Sequence, residues 1–238
     1  MRQLRHLSRV LLLGVCLGVC LVFVQNALGM ESGVFLRRYF LLAGGFLAAA
    51  VLFTAAYLQR YRKKMQEALP FLEAKAYKPY VKALEALLET AKGKYLRNLL
   101  RLNLTAGYCG LERYGQAIDI LEDLEGQRLG AEGEMVRRLN LCVCYFYSGQ
   151  TQKALALYDD SQGAFGRFRS SDVFGGNLAV VEMLALVERG RYDEAQALLD
   201  ETRERWDLPR YQEDYQHIQE RLDSASSGPG GAGVPPVG

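Results

Sequence analysis

Two stretches decide how this chain reads: "LLRLNLTAGYCGLERYGQAIDIL" (99–121) and "VRRLNLCVCYFYSGQTQKALALY" (136–158). Laid over one another at an offset of 37 residues, they place Arg101 on Arg138, Leu102 on Leu139 and Asn103 on Asn140. Leu104 falls on Leu141 and Tyr108 on Tyr145, and in the second halves Ala117 falls on Ala154 and Leu121 on Tyr158. Each half spaces its apolar residues as a helix does, with a turn between the halves. Two separate helical patterns repeating at one offset are hard to obtain from generic amphipathic helices.

The second half recurs on both sides. "YKPYVKALEAL" (77–87) and "RGRYDEAQALL" (189–199) extend the alanine column to Ala83, Ala117, Ala154 and Ala195, at steps of 34, 37 and 41 residues. Tyr80, Tyr114 and Tyr192 stand three residues ahead of the alanine, with Thr151 the exception; Leu87, Leu121, Tyr158 and Leu199 follow four residues after it. Antiparallel helices pack with axes about 8–10 Å apart, closest where a small residue faces the contact. The alanines are read as those contacts, with the flanking tyrosine and leucine closing over them from the same face.

A period in the thirties, with a turn before a helix, predicts an array of helical pairs. On Leu104, Tyr108, Ala117 and Leu121, and again on Leu141, Tyr145, Ala154 and Tyr158, the chain resembles the tetratricopeptide repeat (TPR) family, whose pattern is W-x2-L-G-x2-Y, then A-x3-F, then P. The last copy keeps Gly190, Tyr192, Ala195, Leu199 and Pro209, but its first helix (177–190) matches poorly. The first copy keeps only its second helix, because Pro70 interrupts the segment ahead of it, and the early Trp is missing throughout. The likeness covers about residues 77–205.

The resemblance implies that the first helix of each pair lines a concave groove in which a peptide docks. The residues it points to are Leu99, Asn103 and Ala106, with Gly110, and then Val136, Asn140, Val143 and Tyr147. Asparagine is a poor helix former, and both sit between leucines in "RLNL". The competing reading has both asparagines bonding backbone or each other between repeats. The basic partners of a carboxylate clamp, found in chaperone-binding members, have no match here. Tyr108, Tyr114, Tyr145 and Tyr192 join the four alanines as packing residues.

Ahead of the repeats the composition changes. No charged side chain occurs from Val10 to Gly29 or from Tyr39 to Leu58, and about 20 residues of helix cross a hydrocarbon core. We therefore expect two transmembrane helices (10–29 and 39–58) joined by a short extracytoplasmic loop (30–38). Arg2, Arg5 and Arg9 precede the first, Arg60, Arg62, Lys63 and Lys64 follow the second, and only Arg37 and Arg38 oppose them. The positive-inside rule then puts residues 1–9 and everything after Leu58 in the cytoplasm. A cleaved signal peptide, with Ala27 and Gly29 at its end, is the rival reading of the first run and leaves the remainder on the same side. Small residues four apart (Gly14 and Gly18, Gly44 and Ala48, Gly45 and Ala49) suit packing within the hairpin, or a homodimer.

Residues 59–76 read as a juxtamembrane helical linker, 77–223 as the repeat domain and 224–238 as a flexible tail. Within the domain, loops are expected at 125–134 and 161–176, and a polar capping helix from Asp207 to about Asp223. The fold expected is all-α: two transmembrane helices, then a TPR-like α-solenoid of about three to four helical pairs with a C-terminal cap. The net charge is +2, with 29 basic and 27 acidic residues interspersed, which leaves no nucleic-acid footprint. Five cysteines and two histidines show no zinc spacing, and there is no phosphate loop and no nucleophile with a base. No catalytic, cofactor-binding or metal-binding residue is therefore named. We expect a membrane-anchored adaptor or scaffold, not an enzyme, that binds a protein or peptide on the cytosolic side and acts in the assembly of a membrane complex. The bacterial plasma membrane is its expected place, and an enzyme whose site is not visible as a motif is the alternative.

Overall fold

A computed structural model describes residues 18, 20–27, 29 and 31–226 of the chain, and among these there is helix and no strand. The protein is all-α. It divides into two compact units, Met1–Arg60 and Tyr61–Gly238.

Helix α1, Ser32–Glu73, straddles that division. Among the described residues it is the one helix long and apolar enough to cross a membrane. Between residues 40 and 53 its large apolar side chains are exposed: Phe46 is 79% exposed and Phe53 75%. The Thr54 hydroxyl donates to the Ala50 carbonyl at 2.8 Å, so this polar group is satisfied within the helix. The second expected span, 39–58, lies wholly inside α1. Of the first, 10–29, half the residues lie outside the described ones, and 20–27 are helical. The loop expected over 30–38 is shorter than predicted, since the helix begins at Ser32 and the Phe35 amide already bonds the Glu31 carbonyl at 3.0 Å. Leu36, Arg37 and Arg38 are good helix formers, and a pair of charges there does not stop a helix.

The second unit continues with α2 (Tyr77–Thr90), α3 (Lys94–Gly110), α4 (Tyr114–Asp123), α5 (Gly130–Tyr147) and α6 (Thr151–Phe165). After these come α7 (Gly175–Glu188), α8 (Tyr192–Arg205), a 3-10 turn at Pro209–Tyr211 and α9 (Gln212–Ser226). From α2 to α8 each helix packs on the next; α3 also packs on α5, α5 on α7, and α9 on both α7 and α8.

Four turns close in the same way. Backbone bonds run from Ala76 to the Phe71 carbonyl (2.7 Å), Arg113 to Tyr108 (2.8 Å), Gln150 to Tyr145 (2.8 Å) and Arg191 to Leu186 (3.0 Å). The residue ahead of each donor is left-handed: Lys75 at φ 55°, Glu112 at 57°, Gly149 at 75° and Gly190 at 71°. This is the six-residue closure of a helix C-terminus, and glycine is its least strained occupant. The spacing of the four turns is 37, 37 and 41 residues.

These turns correct the alignment of the first copy. Four residues after each donor stand Ala117, Ala154 and Ala195, whose amides bond the carbonyls of Arg113, Gln150 and Arg191, all at 3.1–3.2 Å. In the first copy that place belongs to Tyr80, bonded to the Ala76 carbonyl at 3.2 Å, and not to Ala83. Ala117, Ala154 and Ala195 are fully buried, whereas Ala83 is half-buried among Tyr80, Val81, Leu84 and Leu87, which carry the contact. Tyr80 fits because α3 presents Gly107 to it: a Cβ there would come within 2.8 Å of the Tyr80 ring and 2.6 Å of Val81. Thirty-seven residues on, the same two columns hold Ala117 and Cys144, so the small residue has changed sides.

The other boundaries move for local reasons. Pro70 does not interrupt the first pair: α1 runs through it to Glu73, giving up the one bond its missing N–H would make, and the Pro70 carbonyl still accepts from the Ala74 amide at 2.9 Å. Tyr61 and Ala68 are buried, and the Tyr61 hydroxyl donates to Thr90 Oγ1 at 3.1 Å, so the segment expected to be a linker is part of the packed unit. The loop expected at 125–134 ends early, with α5 starting at Gly130 ahead of the good helix formers Ala131, Glu132 and Glu134. The one expected at 161–176 shrinks because Ser161 and Phe165 continue the buried stripe of Ala154 and Tyr158 at helical spacing. The last helix begins at Gln212 and not at Asp207, since Leu208, which precedes Pro209, is held extended. Nor is it a purely polar cap, for Tyr215, Ile218 and Leu222 are buried along one side of it.

Candidate peptide-binding groove

The seven residues expected to line a groove lie on α3 and α5, which pack side by side, and all seven are half-buried. The two asparagines spend their amide donors inside the protein. Asn103 Nδ2 donates to the Leu99 carbonyl at 2.8 Å, one turn back on its own helix. Asn140 Nδ2 donates to Thr105 Oγ1 on α3 at 3.2 Å, and that hydroxyl, fully buried, donates to the Leu102 carbonyl at 2.7 Å. Among the described residues no donor reaches either asparagine side-chain oxygen. Two carbonyl acceptors, one repeat apart, are thus held in fixed orientation between apolar side chains.

One end of this face is covered by the protein itself. The Tyr147 ring stacks on Tyr114, with centroids 6.0 Å apart and planes 12° from parallel, and leans on His217 of α9 at 5.3 Å. Its hydroxyl donates to Asp214 Oδ1, also of α9, at 2.6 Å. At Gly110 a Cβ would fall 2.2 Å from the Tyr77 ring, so the glycine is the seat of that ring. Lys75 pairs with Glu213 at 2.5 Å. The first turn of α9 therefore lies against Tyr147 of α5 and the turn that opens α2. Of the expected lining, Leu99, Asn103, Ala106, Val136, Asn140 and Val143 remain as one set, and Tyr147 belongs to the contact with α9.

Burial governs the electrostatics of that contact. Desolvation pushes the Tyr114 phenol up to about 12, with the Glu112 charge adding to it. Burial raises the Asp214 carboxyl above its ordinary value, although the bond from Tyr147 works the other way. Burial also raises Tyr147, helped by the Asp214 charge.

The packing tyrosines divide. Tyr108 and Tyr145 make the same bond one repeat apart: Tyr108 donates to Glu85 Oε1 at 2.9 Å and Tyr145 to Glu122 Oε1 at 2.6 Å. Arg101 and Asp123 pair at 2.7 Å, and Arg138 and Asp160 repeat that pair at 2.5 Å. All four bonds span neighbouring helices. Tyr192 does not close over its alanine; it is 43% exposed on the outer side of a largely polar α8.

Sequence reasoning missed Arg137. It is 2% exposed, held by Glu134 through two bonds at 2.7 and 2.9 Å, and it donates to the Leu121 carbonyl at 3.1 Å near the end of α4. The Glu134 carboxyl, although desolvation would raise it, is drawn below its usual value by Arg137 and Arg138. The signal was present in the alignment: Arg137 stands in the column of Leu100, which is wholly buried. A cation in a core column needs partners, and Glu134 supplies them one turn earlier.

Among the described residues no group of three or more His, Cys, Asp or Glu side chains is placed to hold a metal ion. No protein-family model matches the chain, and no curated protein matches it.

Proposed function

We propose that this protein is a membrane-anchored adaptor, a member of the tetratricopeptide-like class, whose helical-pair solenoid binds an extended segment of a partner protein on the cytosolic side of the membrane. Two spans, the second inside α1, hold it there, and the bacterial plasma membrane suits so compact an anchor. The observation that carries the reading is the pair of asparagine oxygens on α3 and α5. They sit one repeat apart, accept nothing from the described residues, and are flanked by Leu99, Ala106, Val136 and Val143. Backbone N–H groups of an extended peptide are the natural donors for such oxygens, and the apolar neighbours take its side chains. Fixed acceptors cost the protein little ordering when the peptide arrives. Tethering at a membrane raises local concentration, so modest affinity suffices for assembling a membrane complex.

The test compares the full chain with its Asn103→Ala and Asn140→Ala variants in detergent micelles, each used as bait for membrane and cytosolic extracts. The reading expects a protein captured by the parent and lost from Asn103→Ala at an unchanged melting temperature. Asn140→Ala also removes the bond that the buried Thr105 hydroxyl accepts, so it should lower the melting temperature slightly as well as lose the partner. Equal capture by all three proteins would sink the groove.

A further inference from the structure

Three of the five cysteines lie in the second unit, and two of them meet. Cys109 Sγ on α3 and Cys144 Sγ on α5 are 2.9 Å apart, across the contact between neighbouring first helices. A disulfide needs about 2.05 Å between sulfurs, so small side-chain rotations would close the remaining gap of roughly 0.8 Å. Their environments differ usefully. Cys109 is half-buried and reachable from solvent, while Cys144 is fully buried. The Cys109 sulfur beside it and then burial hold the Cys144 thiol protonated. Cys142, also buried, stands two residues from Cys144 and so points to another side of α5. Cys109, Tyr114 and Tyr147 all pack against the same buried core, to which Cys144 belongs.

We propose that Cys109 and Cys144 form a dithiol–disulfide couple, oxidised by a small-molecule disulfide of the glutathione class, that covalently joins α3 to α5. Cys109, as thiolate, attacks one sulfur of the small disulfide; that S–S bond breaks and one small thiolate leaves. The leaving thiolate takes the Cys144 proton, and the Cys144 sulfur attacks Cys109 Sγ, expelling the second small molecule as a thiolate, which takes up from water the proton that Cys109 released on ionising. Two protein thiols become one disulfide, and one small disulfide becomes two thiols. An accessible attacking sulfur and a sheltered resolving sulfur are what this sequence of steps requires. The link fixes the separation of the two helices that carry Asn103 and Asn140. It does not depend on what, if anything, binds between them.

The test uses the full chain in detergent micelles, treated with oxidised glutathione, quenched with iodoacetamide, cut with trypsin and read by mass spectrometry. The expected product is the peptide 102–113 joined to 139–153, with Cys142 alkylated and the link assigned to Cys144 by fragmentation. Cys142→Ser should leave the yield unchanged, and Cys109→Ser and Cys144→Ser should each abolish it. Glutathione retained on Cys109, a link through Cys142, or both sulfurs alkylated in the parent protein would each overturn the proposal. The parent measurement decides alone, so a variant that fails to fold does not rescue it.

Discussion

The middle of the second unit and its last pair of helices hold together by different means. Between α2 and α6, bonds recur at an offset of 37 residues: Tyr108 with Glu85 and Tyr145 with Glu122, Arg101 with Asp123 and Arg138 with Asp160. Helix α7 stands outside that repeat: its two carboxylates pair elsewhere, Glu182 with Arg169 at 3.0 Å and Glu188 with Arg221 of α9 at 2.6 Å. Eleven of its fourteen residues are buried, because α8 and α9 both pack on it, and only Asn177, Glu182 and Glu188 are half-exposed. The difference explains why the first helix of the last copy resembled the others so poorly. A helix covered on several sides has no polar face to display a pattern. Cross-links specify which helix sits against which, whereas apolar burial supplies free energy without much direction.

The largest expected effect lies where burial does the work. Leu184→Ala in α7, at a side chain 1% exposed, should destabilise the second unit by about 2–5 kcal/mol. A loss below about 1 kcal/mol by chemical denaturation would mean that α7 is not the core of its pair. Next come the small-residue contacts. Ala117→Leu and Ala154→Leu should each cost about 1–3 kcal/mol through overpacking, while Ala83→Leu should stay within about 0.5 kcal/mol. Equal costs at all three positions would restore the alignment that the turns overrule. Smaller still are the cross-links. Tyr145→Phe should cost about 0.5–1.5 kcal/mol, and Tyr108→Phe less, since its bond to Glu85 is exposed and the Tyr145 bond to Glu122 is partly buried. The reverse order would say that these bonds do not set the register.

The smallest effect concerns pH and sharpens the contrast at α9. The Asp214 carboxyl is raised in the folded state, chiefly by burial, so folding favours its protonated form. Its contribution is fully present below the unfolded pKa and is lost as pH rises through the folded value. Protection of α9 amides from hydrogen exchange should therefore increase as pH falls from neutrality toward the carboxylate range. Asp214→Asn should flatten that dependence while the neighbouring Lys75, Glu213, Tyr147 and His217 remain. An unchanged slope in the variant would move the effect to one of those groups.

Much of this architecture was legible in the sequence because helix periodicity and turn closure are local. The helices over the two stretches at 99–121 and 136–158, and the buried Ala117, Ala154 and Ala195, follow from spacing alone. The first copy was misread for a physical reason: a small residue can make room from either helix of a contact. Gly107 does so for Tyr80, and no pattern within α2 could announce a glycine on α3. The shorter loops were hidden because glycines such as Gly163 suggested a break, although Gly163 faces solvent and Ser161 and Phe165 keep the buried stripe going. Of the proposed groove, the positions on α3 and α5 could be read from the alignment. Backbone bonding, the competing reading, is what the Asn103 amide does; that the Asn140 amide goes to Thr105 and that both oxygens stay open could not be read, because rotamers answer to neighbours.

By itself, the sequence determined the helices over 99–121 and 136–158, which of their faces are apolar, and that a helix long and apolar enough to cross a membrane precedes them. These depend on interactions a few residues apart. Only the tertiary structure decided that α9 leans on Tyr147 and Lys75, that Arg137 is buried on Glu134, and that Cys109 meets Cys144. Each of those contacts joins side chains on different helices or at unequal depth, and their distance is set by how the helices stack, a sum over many weak contacts that no short stretch of chain encodes.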